Sequence, residues 1–134
     1  MAPSKRTILI IDDDISILTL FSRALGGAHT IVTKTDGAAA LQWLQMGNIV
    51  DMILTDLSMP NMDGFEFIKT IRTGGKENRQ TPIIVFSSQS DVRVRIRALQ
   101  LGADDFMQKP VHIEELSLRI NNLFRRTSGT RLDV

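Results

Sequence analysis

Residues 52–64 read Met-Ile-Leu-Thr-Asp-Leu-Ser-Met-Pro-Asn-Met-Asp-Gly, and they are the most informative segment of the chain. The apolar run over residues 52–55 is typical of a buried strand. Pro60 and the pair Asp63-Gly64 then indicate a turn. Asp56 is therefore a single carboxylate at the point where a buried strand opens into a rigid loop.

Three further strand-like runs end in polar side chains. Residues 8–11 are followed by Asp12-Asp13-Asp14, residues 83–86 by Ser87-Ser88, and residues 105–108 by Lys109-Pro110. The carboxyl ends of parallel strands meet at one edge of a sheet, where a crevice forms. The sequence therefore predicts that carboxylates, a hydroxyl and an ammonium group converge on one site.

Helical segments separate the predicted strands. The strands are expected at residues 8–11, 29–35, 50–55, 82–86 and 105–108, and the helices at about 15–25, 37–46, 65–73, 92–101 and 113–126. This alternation predicts a parallel sheet with right-handed crossovers. Five such units are too few for a closed eight-stranded barrel, so we expect an open, doubly wound α/β sheet.

The segment after the fourth strand is ambiguous. Residues 92–97 alternate valine or isoleucine with arginine, which is a strand pattern, yet Val92, Ile96 and Leu99 also share one helical face. The length of the run and an N-cap at Ser90 or Asp91 favour a helix that ends at Gly102.

Length and composition bound the class of protein. A chain of 134 residues with 43% apolar residues is long enough for a single core. No apolar stretch approaches the roughly 20 residues of a membrane span. The absence of cysteine excludes disulfides and thiolate metal sites. We expect one domain over residues 1–126, with 127–134 as a polar tail or the start of a linker.

Taken in order, these strand-end groups resemble the receiver domain of two-component response regulators, the CheY-like family. The resemblance rests on Asp12-Asp13, Asp56 with its Leu-Ser-Met-Pro-Asn-Met-Asp-Gly continuation, Ser87, and Lys109-Pro110, and it covers about residues 6–125. It implies a flavodoxin-like (βα)5 open parallel sheet of strand order 2-1-3-4-5, for which CheY is a standard example. A cis bond between Lys109 and Pro110 is also implied.

Phosphoryl transfer needs a placed nucleophile and cations that absorb charge, and carboxylates suit both the nucleophile and the ligands of Mg²⁺. The resemblance implies that Asp56 is the phosphoacceptor. Asp13 and Asp56 would bind Mg²⁺ directly, with Mn²⁺ as a substitute. Asp12 would bind partly through water, and the backbone carbonyl of Ser58 would be a further ligand.

The remaining site residues follow from the same resemblance. Lys109 would hold one phosphoryl oxygen and Ser87 would donate its hydroxyl to another. Ser87 and Phe106 would form the switch, although Phe106 stands where the family often has tyrosine, and this chain contains none. We also predict that Ser58 and Gln89 influence the rate of hydrolysis by controlling the access of water.

The leading hypothesis is a cytoplasmic, phosphorylation-controlled signalling switch. A histidine kinase or phosphotransfer protein would donate the phosphoryl group. The face formed by the fourth helix, fifth strand and fifth helix would then control a downstream partner or a missing output domain. The chain would catalyse its own phosphoryl transfer and slow autodephosphorylation without being a turnover enzyme. We expect no membrane association and no direct nucleic-acid binding, and the resemblance allows a homodimer.

Two alternative functions do not involve phosphorylation of Asp56. Asp12-Asp13-Asp14 loosely resembles the nucleophile motif of haloacid-dehalogenase-like phosphatases, in which case Asp12 would carry the phosphate. The mid-chain Asp56 loop and Lys109-Pro110 argue against that class. A non-phosphorylated interaction module is the third hypothesis, and it would require that Mg²⁺ does not bind.

Overall fold

The computed structural model describes residues 5–74, 77–89 and 91–132, with residues 128–132 described at the level of the backbone. Within these ranges, five strands alternate with five α-helices: β1 (Thr7–Ile11), α1 (Ile15–Leu25), β2 (Thr30–Lys34), α2 (Gly37–Gln45), β3 (Met52–Asp56), α3 (Gly64–Thr73), β4 (Ile83–Ser87), α4 (Val92–Leu101), β5 (Asp105–Gln108) and α5 (Ile113–Leu132). This confirms the predicted alternation of strands and helices.

The five described strands form one parallel sheet in the order β2-β1-β3-β4-β5. The fold class is therefore confirmed, including the strand order. Every residue of β3 and β4 is buried, because helices cover both faces of a parallel sheet. These two central strands carry Asp56 and Ser87 as their last residues. The sheet thus delivers both side chains to its carboxyl edge from inside the core.

The core consists of two apolar clusters, one on each face of the sheet. Leu18, Phe21 and Leu25 of α1 pack with the apolar face of α5 in the first cluster. Phe67, Ile68 and Ile71 of α3 pack with α2 and α4 in the second. Successive side chains of a strand point to opposite faces of the sheet, so alternate residues of each strand pack into opposite clusters.

Aspartates begin four of the described helices. Asp14, Asp36, Asp63 and Asp91 are the N-caps of α1, α2, α3 and α4, and each side chain accepts a hydrogen bond from a backbone N–H of the first turn. The predicted cap at Asp91 is confirmed, and the alternative, Ser90, lies outside the described residues. Gly102 ends α4 with φ of 119°, a left-handed conformation that suits glycine.

The structure corrects two details. Val92, Ile96 and Leu99 share one face of α4 as predicted, but this apolar face is 49%, 47% and 43% exposed at the three residues. Ala98 is buried instead and Val94 packs beside it, because the sheet meets the helix on the opposite side. In addition, a short 3-10 helix over Glu77–Gln80 was not predicted.

The C-terminal helix is longer than expected. It continues to Leu132 rather than ending near Arg126, and the Thr127 hydroxyl donates to the carbonyl of Leu123 at 2.8 Å. The polar residues after Arg126 therefore extend the helix, since polarity alone does not end a helix. The division into a domain and a tail or linker stays a prediction.

Candidate functional site

Asp12 is placed at the carboxyl edge of the sheet by the continuation of β1. Its N–H donates to the carbonyl of Lys34 at 3.2 Å, which extends the ladder between β1 and β2. The side chain is fully buried. Its Oδ1 accepts the N–H of Asp14 at 2.9 Å, and its Oδ2 accepts Nζ of Lys109 at 3.0 Å. Both oxygens of this buried carboxylate are therefore hydrogen-bonded, as burial of a charge requires.

Asp56 ends β3 and is 6% exposed. Its Oδ1 accepts the N–H of Leu57 at 2.8 Å, and Ser58 donates a further backbone N–H to the carboxylate. Its Oδ2 lies 3.4 Å from Nζ of Lys109. Burial raises the pKa of Asp56, the charge and hydrogen bond of Lys109 lower it, and the charge of Asp12 raises it again, so the net shift is upward. This carboxylate is thus held by backbone donors while its charge is only partly compensated.

Lys109 is positioned by the junction between β5 and α5. Its N–H donates to the carbonyl of Ser87 at 2.8 Å, and the peptide bond to Pro110 is cis, which confirms that prediction. Burial lowers the pKa of Lys109. The hydrogen bond to Asp12 and the charges of Asp56 and Asp12 together raise the pKa by more than this, so the net shift is upward. The ammonium group therefore stays protonated between the two buried carboxylates.

Asp13 is exposed at the mouth of the site and completes an acidic cluster. One carboxylate oxygen from each of Asp12, Asp13 and Asp56 lies within 4.8 Å of the other two. A single lysine cannot neutralise three carboxylates, and oxygen donors at this spacing suit a hard divalent cation such as Mg²⁺. The cluster can therefore bind a metal ion.

Ser87 and Phe106 lie on neighbouring strands. Ser87 is 3% exposed and its Oγ accepts the N–H of Gln89 at 3.0 Å. A hydroxyl that accepts this bond can still donate its proton to another group. Phe106 is half-buried and packs against the second core cluster. Its phenyl ring has no hydroxyl group, so no side-chain hydrogen bond can hold Phe106 in an inward or an outward position.

Ser58 and Gln89 are exposed at the rim of the site. Ser58 donates its backbone N–H to the Asp56 carboxylate and Gln89 donates its N–H to Ser87 Oγ, so both residues adjoin the site. The structure thus brings Asp12, Asp13, Asp56 and Lys109 into direct proximity, while Ser58 and Gln89 lie at its edge. The roles predicted for all these residues, including the Ser58 carbonyl as a ligand, stay predictions.

The backbone groups that orient the carboxylates were not predicted from the sequence. The N–H of Leu57 donates to one carboxylate oxygen of Asp56, and the N–H of Asp14 donates to one carboxylate oxygen of Asp12. Aspartate readily bonds the backbone two residues ahead, so the bond from Asp14 to Asp12 had a local signal in the sequence. The ion pair between Lys109 and Asp12 had none, because the two residues are far apart in the chain.

Comparison with known proteins identifies relatives over most of the chain. Residues 8–121 match the profile of a family described as the response regulator receiver domain. The probable transcriptional regulator ycf27 of Cyanophora paradoxa is 37% identical over 135 residues, covering 100% of this chain and 54% of that protein. The cell cycle response regulator CtrA of Brucella ovis is 34% identical over 124 residues, covering 91% and 51% respectively. This chain therefore spans about half the length of these curated relatives.

Solved structures give the same result. The receiver domain of the Francisella response regulator 1452 superposes with a TM-score of 0.83 and 32% sequence identity, covering 91% of this chain and 98% of that one. A CheY-like receiver domain protein from Methanospirillum hungatei superposes with a TM-score of 0.87 at 21% identity, covering 95% of this chain and 99% of that one, which bears on the fold alone. The phosphatase alternative would have required a different family.

Across the described residues, no helix combines the length and apolarity needed to cross a bilayer.

Proposed function

Because this chain belongs to the response regulator receiver domain family, we propose that it is a phosphorylation-controlled switch with Asp56 as the phosphoacceptor. One juxtaposition carries the proposal. Asp56 ends a central strand beside two further carboxylates, and the ammonium group of Lys109 lies 3.4 Å from its Oδ2. A nucleophilic oxygen, cation ligands and a fixed positive charge are the parts that phosphoryl transfer needs.

In the proposed reaction, a carboxylate oxygen of Asp56 attacks the phosphorus of a phosphohistidine on a histidine kinase or phosphotransfer protein. An O–P bond forms while the P–N bond breaks, and the electron pair of the broken bond stays on the histidine nitrogen, so that a ring protonated at its other nitrogen leaves as neutral imidazole. Hydrolysis later releases inorganic phosphate and restores the carboxylate. The chain supplies the catalytic groups for both steps, but it is not a turnover enzyme.

The residues around Asp56 have separate tasks. Asp12, Asp13 and Asp56, with the carbonyl of Ser58, would hold Mg²⁺ or Mn²⁺, and the bound ion would neutralise charge on the phosphoryl oxygens. Lys109 already contacts both buried carboxylates, so a short movement would bring its ammonium group onto a phosphoryl oxygen. The backbone N–H groups of Leu57 and Ser58 keep the nucleophile oriented.

Phosphorylation would be read out through Ser87 and Phe106. The Ser87 hydroxyl would donate to a phosphoryl oxygen, and Phe106 on the adjacent strand would repack against α4. Because Phe106 has no hydroxyl, its position would be set by packing alone. The outward face of α4, with Val92, Ile96 and Leu99 exposed, supports the α4, β5 and α5 surface as the site where a partner is bound or released.

Partner docking has support in a groove beside the site. Ile17, Leu20, Phe21, Lys109, Pro110 and Val111 line an apolar depression that ends at the functional lysine. An apolar surface continuous with the phosphoacceptor site suits a protein donor better than a small phosphorylated metabolite. We propose that the phosphohistidine-bearing protein docks there.

The wider setting is part of the same proposal. The relatives include a probable transcriptional regulator and a cell cycle response regulator that are about twice as long as the matched region. We therefore propose a cytoplasmic receiver that controls an output domain or a separate partner, with no nucleic-acid contact by this domain. A phosphorylation-dependent homodimer belongs to this proposal. Identical monomeric elution with and without a phosphoryl mimic would argue against the dimer.

Intact mass spectrometry after incubation with acetyl phosphate and Mg²⁺ tests the central claim. Wild-type protein should gain one phosphoryl group, and Asp56→Asn should gain none. Asp63→Asn is the matched control, because Asp63 is a helix cap outside the site and asparagine caps equally well. Labelling that survives Asp56→Asn and disappears in Asp12→Asn would refute the assignment of Asp56.

A further inference from the structure

Gly64, the first residue of α3, lies against the backbone that carries Asp56. Its N–H donates to the carbonyl of Leu57 at 2.8 Å, so the start of the helix is bonded directly to the end of β3. A Cβ atom at position 64 would lie 2.7 Å from the Asp56 carbonyl oxygen, 2.7 Å from Leu57 Cα and 2.9 Å from Leu57 Cδ2. Cβ atoms essentially never approach other atoms within 3.0 Å, so any side chain here would force a shift.

The requirement for glycine is one of space. The φ angle of Gly64 lies outside the left-handed region, and α3 is an ordinary helix capped by Asp63. Two of the three contacts involve backbone atoms, which cannot turn aside as the end of a flexible side chain can. The Leu57 side chain is 3% exposed and is enclosed by the second core cluster. The backbone of Asp56 and Leu57 must therefore give way.

Leu57 transmits such a shift to the functional carboxylate. Its N–H donates to Oδ1 of Asp56 at 2.8 Å and also to the carbonyl of Phe86 at 3.2 Å. The same N–H thus fixes the carboxylate orientation and joins the end of β3 to β4. Movement of the Leu57 backbone would rotate Asp56 relative to Asp12 and Lys109.

We propose that Gly64 is a positioning residue for the phosphoacceptor: it lets α3 approach closely enough to hold the Leu57 N–H on Asp56. This inference rests on the proposed function of Asp56. It assigns to Gly64 a role in site geometry beyond that of ending a turn. It also predicts that alanine, which favours helices more than glycine does, is harmful at this helical position.

Two other glycines provide graded controls. A Cβ atom at Gly27 would have no atom within 4 Å, so alanine there changes the unfolded chain without crowding the fold. A Cβ at Gly37 would lie 3.2 Å from the carbonyl oxygen of Met62, in the loop between Asp56 and Gly64. Alanine at Gly37 would therefore press on the loop between Asp56 and Gly64, but more gently than alanine at Gly64.

The test compares Gly64→Ala with Gly27→Ala and wild type. Circular dichroism and thermal unfolding establish that each variant is folded. The Mg²⁺ dissociation constant is then measured by calorimetry, and the phosphorylation rate by intact mass with acetyl phosphate at saturating Mg²⁺, both far below the unfolding midpoints. A merely structural effect would change the midpoint and leave the affinity and rate of the folded protein unaltered.

We expect Gly64→Ala to lose at least about tenfold in phosphorylation rate and to bind Mg²⁺ more weakly, because misplacement of a reacting group by about 1 Å can cost around a hundredfold. Gly27→Ala should stay within about twofold of wild type on both measures. A folded Gly64→Ala with wild-type affinity and rate would overturn the inference. If Gly64→Ala does not fold, Gly37→Ala carries the test, and a rate equal to that of Gly27→Ala would overturn it.

The outcomes also separate this inference from the proposed function. If wild type gains no phosphoryl group but binds Mg²⁺, the phosphoacceptor role fails, and the affinity of Gly64→Ala alone decides whether Gly64 positions the acidic cluster. If wild type neither gains the group nor binds Mg²⁺, both proposals are refuted. If wild type is phosphorylated and Gly64→Ala is equally active, only the role of Gly64 is lost.

Discussion

Replacing Arg72 with methionine should destabilise the protein far more than removing a typical surface arginine. Arg72 lies near the end of α3, and its side chain is 18% exposed. Its Nε donates to the carbonyl of Gly102 at 3.0 Å, and its Nη1 donates to the carbonyls of Arg79 and Thr81 at 2.9 and 2.7 Å. Its Nη2 pairs with Asp104 at 2.9 Å. One guanidinium thus joins α3, the 3-10 helix, the start of β4 and the turn after α4.

The magnitude follows from these contacts. Each hydrogen bond to a carbonyl contributes about 1 kcal/mol net, so the three together contribute roughly 3 kcal/mol. Asp104 is 41% exposed, so its ion pair with Arg72 is screened by solvent and adds about 0.5 kcal/mol. Methionine keeps most of the aliphatic stem that packs against Gly102. We therefore expect Arg72→Met to lower the free energy of unfolding by about 3–4 kcal/mol.

Urea unfolding followed by circular dichroism measures this difference, with Arg93→Met as the matched control. The Arg93 side chain is 87% exposed and pairs with Asp91 at 2.9 Å on the surface of α4. Because solvent screens this pair, its loss should leave the free energy of unfolding close to that of wild type. If the two variants differ by less than about 1 kcal/mol, the Arg72 contacts do not contribute as the geometry indicates.

Three further predictions concern the site. Burial raises the pKa of Asp56, so the folded state is favoured while this carboxyl is protonated, and that stability is lost as pH rises through the folded pKa. Without Mg²⁺, Asp56→Asn should therefore resist urea better than wild type at neutral pH. The difference in stability between the two proteins should disappear below the ordinary pKa value of 3.8. Lys109→Met should bind Mg²⁺ roughly tenfold more tightly in calorimetry, because the variant lacks the positive charge that competes with the ion for the carboxylates. The variant should nevertheless become phosphorylated more slowly than wild type. Unchanged Mg²⁺ affinity would show that Lys109 does not compete with the ion. Gln89→Ala should shorten the phosphoryl lifetime on Asp56 a few-fold by admitting water, as followed by intact mass over time, and an unchanged lifetime would count against a role for Gln89.

Much of the fold could be predicted from local sequence. The apolar runs that end at Asp12, Asp56 and Ser87 are buried strands because each is short, branched and bounded by turn residues. Aspartate caps and glycine stops placed the helix ends close to their observed positions. The prediction for α4 was less accurate. Valine, isoleucine and arginine alternate there, and periodicity alone does not reveal which helical face meets the sheet.

For the candidate site, the residues could be predicted from the sequence but the contacts between them could not. Its aspartates, hydroxyl and lysine could be chosen because each follows a strand of a parallel sheet, whose carboxyl ends meet. Their mutual contacts could not be predicted. The ion pair of Lys109 with Asp12 joins residues from opposite ends of the chain, and its geometry depends on how β5 lies against β4 and how β1 lies against β3.

Local periodicity and turn chemistry were sufficient to predict the order of strands and helices along the chain, the cap at Asp91 and the set of polar groups at the carboxyl edge of the sheet. The folded structure was needed to show that Val92, Ile96 and Leu99 face solvent and that Lys109 bridges Asp12 and Asp56. It was also needed to show that a Cβ atom at position 64 would crowd the backbone of Asp56 and Leu57. Those properties depend on distances of a few ångströms between segments remote in the chain, which close packing of the sheet and helices sets.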